Sequence, residues 1–271
     1  MRAWRAYPLA AALLAILAGC QTVQTTQPGA VGVQRSQTML VSSQAINDGA
    51  VRAYREVLQQ AASKGQLNRD AAQVERVREI ARRLIGQTAV FRPDAQGWSW
   101  ETNVISSNEV NAWCMPGGKI AVYSGLIDRL QPTDAELAAV MGHEIAHALR
   151  EHGRERASKA MAQSLAIGVL GAAAGISGSA MDLTQTVLDL TFNLPNSRTD
   201  ETEADRIGVE LAARAGYDPR AAVSLWQKME RLGGGQRPEF LSTHPAYASR
   251  IDDLKLYSAR VLPLYSTQPM R

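Results

Sequence analysis

The sequence predicts an α+β fold, mainly helical, with one small antiparallel sheet, and three observations carry the prediction. Apolar residues recur at helical spacing over Ile46–Ala62, over Ala71–Ile85 and again after Pro132. Strand-like alternation appears between Trp98 and Val104, and a short apolar run, Ile120–Tyr123, follows the turn signal Pro116-Gly117-Gly118. A further helix with an acidic first turn begins at Ser197.

With 271 residues, 45% of them hydrophobic and 20% charged, the chain can bury a real core in one or two domains and is no disordered polymer. The sequence pI is near 9.0, yet the net charge is only +3 and no basic stripe is visible, so a nucleic-acid partner is excluded.

In order along the chain, Arg2 and Arg5 precede an apolar run, Leu9–Ala18, too short to span a membrane as a mature helix. Residues 1–19 read as a secretory signal. Leu17-Ala18-Gly19-Cys20 resembles a bacterial lipobox, in which Cys20 becomes the lipidated first residue and anchors the chain to a membrane. Cys114 is then the one remaining thiol, so no intramolecular disulfide is expected, and it reads as a buried strand cysteine. Residues 20–40, rich in Gln, Thr and Gly, read as a flexible tether, with the folded domain over 41–271.

The two helices of 46–62 and 71–85 are expected to brace a third. Thr133 and Glu136 form a capping-box pattern after Pro132, Leu137, Val140 and Met141 follow at helical spacing, and Gly153 is read as the helix end. This helix carries His143-Glu144-Ile145-Ala146-His147. Histidines four apart project from one face, so both imidazoles can reach one tetrahedral Zn²⁺ at about 2.0–2.1 Å. Glu144 lies beside that ion and can take a proton from its water. Two histidines that merely hydrogen-bond would give the same spacing, but would not call for a glutamate there. His152, five residues past His147, falls off the metal face and is assigned no ligand role.

A hydrolytic zinc site needs a third protein ligand and an open fourth position. The acidic helix supplies the ligand. Glu201 and Asp205 share a face, whereas Glu203 stands about 200° around the wheel from Glu201. Glu201 is therefore the expected third ligand, and Asp205 the acceptor of the outer N–H of His143. Between the two motifs, Met161–Ala180 is apolar and rich in Gly and Ala; a single crossing there would put Glu201 across the membrane from His143, so it is read as a packed or mobile helix. The strand segment Asn111-Ala112-Trp113 is a candidate rail for an extended peptide added at the sheet edge.

The run Asn111–Gly118, His143–His147, Glu201-x-x-x-Asp205 and Ser242-Thr243-His244-Pro245 together resemble the gluzincin metallopeptidase family of HtpX and the CAAX prenyl endopeptidase, most of all its periplasmic lipoprotein members. The resemblance covers Val41–Arg260. It implies a zincin-type metallopeptidase domain with one Zn²⁺ per chain, held by His143, His147 and Glu201, with Glu144 catalytic. It further implies unfolded or misassembled envelope proteins as substrates and quality control at the periplasmic side of the outer membrane. For His244 it implies either a fourth ligand that holds the enzyme latent or a catalytic donor to the oxyanion. The alternative expectation is a periplasmic chaperone or outer-membrane assembly factor with a structural or latent zinc site.

Overall fold

The computed structural model describes residues 21–173, 181–232, 238–247 and 249–266. In chain order its elements begin with strands β1 (Gln21–Val23) and β2 (Gln37–Met39), then helices α1 (Ser43–Ser63) and α2 (Ala71–Ile85). Strands β3 (Glu101–Ile105), β4 (Ala112–Met115) and β5 (Lys119–Tyr123) follow, then α3 (Ser124–Leu130), α4 (Asp134–Leu149) and α5 (His152–Ala173). The chain continues through α6 (Leu183–Phe192), α7 (Arg198–Arg214), α8 (Ala221–Leu232), the single turn α9 (Phe240–Thr243) and α10 (Arg250–Ser266).

Everything is arranged around α4, whose residues from Glu136 to Leu149 are all buried. It packs against α7, α8, α2 and strand β4, which explains why its sequence is apolar on every side except for the ionisable cluster. Thr133 and Glu136 close the expected reciprocal capping box, a cap contributing about 1 kcal/mol. Ser197 and Asp200 make the same device at the start of α7, so both ligand-bearing helices have sharply defined entries. The main core joins α2, α4, α7, α8 and one side of the sheet through residues such as Leu84, Leu137, Ile145, Ile207 and Met229. A second cluster, with Ile46, Tyr54, Trp113, Met115 and Val187, ties α1 and α6 to the other side.

The sheet departs from expectation. Its order is β3-β5-β4, with β4 antiparallel to β5 but β3 parallel to it. Alternation in the sequence reports which face is buried and says nothing of pairing direction. The connection after Ile105 reverses the chain into β4, and the Pro116-Gly117-Gly118 hairpin reverses it again, so β5 enters between its predecessors running with β3. Gly117 and Gly118 take φ of 77° and 83°, a region open to glycine at no steric cost.

The helix end is also corrected. α4 stops at Leu149, and Glu151 at φ 52° redirects the chain, so Gly153 lies inside the first turn of α5. Likewise residues 21–40 are no loose tether: β1 pairs with β2, Val31, Val33 and Met39 are buried, and Gln37 Nε2 donates to Arg150 O at 2.8 Å and to Glu155 Oε2 at 2.7 Å. The spaced apolar residues Val31, Val33 and Met39 dock the segment, a signal hidden by its polar composition. The leader and Cys20 lie outside the described residues. Of Met161–Ala180, α5 includes 161–173, and the rest lies outside the described residues. Among the described residues no helix is long and apolar enough to cross a membrane.

Candidate metal centre

Two glycines bring the ligand helices together. A Cβ on Gly142 of α4 would stand 2.9 Å from the Gly208 carbonyl oxygen of α7, and one on Gly208 would stand 2.8 Å from the His143 nitrogen. Backbone thus meets backbone at the crossing, and a side chain at either glycine would force the helices apart. Glu201, Asp205 and Gly208 follow one another at seven- and three-to-four-residue spacing, so the face that touches Gly142 is the face carrying both carboxylates.

The consequence is convergence. His143 and His147 are buried, with Nε2 atoms 3.1 Å apart. Glu201, 0% exposed, places Oε1 3.3 Å from His147 Nε2 and Oε2 3.5 Å from His143 Nε2. Donors bound to one tetrahedral ion at the usual zinc distances stand about 3.4 Å from each other. The spacing therefore fits a single small divalent cation. One buried carboxylate oxygen at this place, Glu144 Oε1, accepts no hydrogen bond, as expected of a group whose partner is an ion's water.

The charges suit the same purpose. Burial pushes the His147 imidazole well below its usual range, favouring the neutral ring that a metal takes. Burial opposes the Glu201 charge, but the His244 and His143 rings outweigh it and hold the carboxyl well below normal. Glu144 is raised above the ordinary glutamate value, by burial first and by the neighbouring Glu201 charge as well, with His244 and His143 opposing. A raised carboxyl is a better base toward water.

Asp205 Oδ1 accepts from His143 Nδ1 at 2.9 Å. Arg250 of α10 reaches into the same cluster. Arg250 Nε and Nη2 donate to the two Asp205 oxygens, each at 2.8 Å, and its guanidinium lies 3.4 Å over the Trp226 ring, whereas Asp253 pairs with Arg206 at 2.7 Å. Arg250 Nη1 is also 2.8 Å from Glu201 Oε2.

His244 joins the cluster directly. Its Nδ1 lies 2.9 Å from Glu201 Oε1 and 3.2 Å from His143 Nε2, and its Nε2 lies 3.4 Å from Glu144 Oε1. One ligand atom from each of His143, His147, Glu201 and His244 falls within 4.8 Å of the others. Phe240 stacks on the His244 ring with centroids 4.3 Å apart, and Asn196 ties the loop down by donating its backbone N–H to Thr243 O at 2.9 Å and its side chain to Glu201 Oε1 at 3.0 Å. Nothing in the sequence marked Asn196.

The candidate rail has a more modest appearance. Ala112 and Trp113 lie on β4, an edge strand beside Glu144, but the Trp113 ring is held edge-on between Tyr54 and Phe192, at 5.7 Å from each. Asn111 Oδ1 accepts the Ala112 N–H at 2.9 Å. Cys114 is buried and free, as expected, with burial pushing its thiol up and away from reactivity.

Two residues outside the expected set complete the centre. His152, assigned no ligand role from the sequence, has its Nδ1 2.9 Å from His147 Nδ1 and its Nε2 3.1 Å from Glu203 Oε2. Burial opposes the Glu203 charge, but bonds from His152 and Arg35 and the Arg150 charge hold its carboxyl down at about 2.

Two imidazoles and a carboxylate delivered by two crossing helices, with a second carboxylate alongside, define a zinc metallopeptidase centre. Residues 71–258 match peptidase family M48, and the chain belongs to that family. It is similar to the mitochondrial metalloendopeptidase OMA1 of Arabidopsis thaliana, 41% identical over 155 residues, which are 57% of this chain and 31% of that one. The Saccharomyces cerevisiae OMA1 is 34% identical over 62% of this chain and 50% of its own, and the beta-barrel assembly-enhancing protease of Escherichia coli is 30% identical over 59% and 35%. The matched regions thus cover about a third to a half of these curated relatives.

Proposed function

We propose that this chain is a zinc-dependent endopeptidase of the bacterial envelope that cuts unfolded or misassembled proteins there. The observation that carries the reading is the meeting of His143, His147 and Glu201 around one ion-sized space with an unbonded Glu144 oxygen beside it. Bound there, zinc supplies Lewis acidity and a water acidified toward a pKa of about 7. Glu144 takes the proton of the attacking water and delivers it to the leaving amine. Asp205, clamped by Arg250, holds the His143 ring in register.

The envelope setting is supported by the secretory-type leader, the lipobox-like Cys20, and the likeness to a protease named for enhancing β-barrel assembly. Lipidation of Cys20 places the domain at the periplasmic face of the outer membrane. A substrate strand adds along β4 beside Asn111, Ala112 and Trp113.

The second reading, a chaperone or assembly factor with a closed zinc site, is favoured by His244, whose Nδ1 stands where a fourth ligand would. Casein and unfolded porin incubated with the purified full-length chain separate the two. Cleavage that a chelator abolishes and added zinc restores is the expected outcome. Zinc-loaded protein that keeps porin soluble and cuts neither substrate contradicts the protease.

A further inference from the structure

His147 and His143 differ in what stands behind them. His143 Nδ1 has a carboxylate, Asp205, in direct contact. Behind His147 there is a second imidazole first, His152, and a carboxylate, Glu203, only beyond it.

This order has a chemical consequence. Glu203 receives Arg35 Nε on Oε1 at 2.8 Å, and on Oε2 Arg35 Nη2 at 3.1 Å, Arg150 Nε at 3.0 Å and Arg150 Nη2 at 2.9 Å. So charged, it is an acceptor, and the His152 nitrogen facing it must be the one that carries hydrogen. A neutral imidazole with hydrogen on Nε2 has a bare Nδ1. That bare Nδ1 faces His147 Nδ1, which must then donate, and hydrogen on His147 Nδ1 leaves the His147 Nε2 lone pair pointing at the metal cluster. From these contacts, and on the reading of His147 as a zinc ligand, we infer that His152 is a positioning residue that fixes the ring and tautomer of His147.

The chain of contacts extends to the N-terminal segment. Arg35, which bonds both Glu203 oxygens, also bonds Glu155 at 2.8 and 2.9 Å. The N-terminal segment that carries Arg35 is therefore fastened, through Glu203 and His152, to the back of His147. Without His152, the buried His147 Nδ1–H loses its acceptor, and a ring with hydrogen on Nε2 cannot ligate.

Zinc affinity of the full-length chain, measured by competition with a chelator of known strength, tests the inference. His152→Phe is expected to weaken zinc by about 10–100-fold, the usual cost of removing a group that orients a ligand. His152→Gln, whose single amide can accept from His147 and donate to Glu203, is expected to recover most of the loss. Wild-type affinity in His152→Phe overturns the proposal, as does an equal loss in both variants. A second measurement needs no variant: nitrogen-15 NMR of the zinc-loaded wild type should show His152 with hydrogen on Nε2 and a bare Nδ1, and hydrogen on Nδ1 overturns it. His147→Ala is the control for the parent reading: undiminished zinc binding there removes His147 from the site, whereas strong loss there with none in His152→Phe removes only this inference.

Discussion

Glu144→Gln is expected to bind zinc as the wild type does and to lose at least about a hundredfold in kcat, within the 10²–10⁴ that a positioned acid–base group supplies. On the barrier this amounts to roughly 3–5 kcal/mol. Zinc is retained because the ion's place is framed by His143, His147, Glu201 and His244, and the Glu144 carboxylate stands outside that group. The amide has nearly the shape of the acid, so the packing of α4 is undisturbed. Casein cleavage with zinc content measured on the same sample checks both halves. Turnover near the wild type in a zinc-loaded variant would take Glu144 out of the mechanism.

His244→Ala is the second large effect, and its sign carries the information. His244 Nδ1, 2.9 Å from Glu201 Oε1 and 3.2 Å from His143 Nε2, is near enough to take the fourth position on an ion held there, the position that water needs. If the closed arrangement is favoured by about 1.4 kcal/mol, only roughly a tenth of the molecules are open at any moment. Removing the ring should then raise kcat by about tenfold and weaken zinc, which loses a donor. Phe240 stacks on the His244 ring and Asn196 bonds the Thr243 carbonyl, so moving His244 aside breaks a ring stack and a backbone hydrogen bond. A fall in kcat with zinc intact would make His244 a donor to the reacting oxygen instead.

Much of the centre was legible because it lies within regular helices. His143, His147, Glu201 and Asp205 are placed by the helical repeat alone, and the contact of Asp205 with His143 follows from one wheel set against another. The limits of that reasoning show at Glu151. Helical phase places His152 well away from His147, but the left-handed residue between them ends α4 and turns His152 back onto the His147 ring. On α7, Glu203 points away from Glu201 as the wheel requires, and for that reason it meets His152 rather than the ion. Neither position is wrong in the sequence; what brings them together is a turn, which periodicity does not encode. The mixed sheet has a similar origin, since strand order depends on the connections more than on the strands. Residues 21–40 were misread because a few spaced apolar side chains outweigh a polar composition once there is a surface to receive them.

A metal-bound crystal structure of the zinc-loaded chain, with the ion located by its anomalous signal, tests the central claim most directly. The expected result is one peak per chain within about 2.0–2.2 Å of His143 Nε2, His147 Nε2 and a Glu201 oxygen. A peak that omits Glu201, or that lies outside the crossing of α4 and α7, would contradict it.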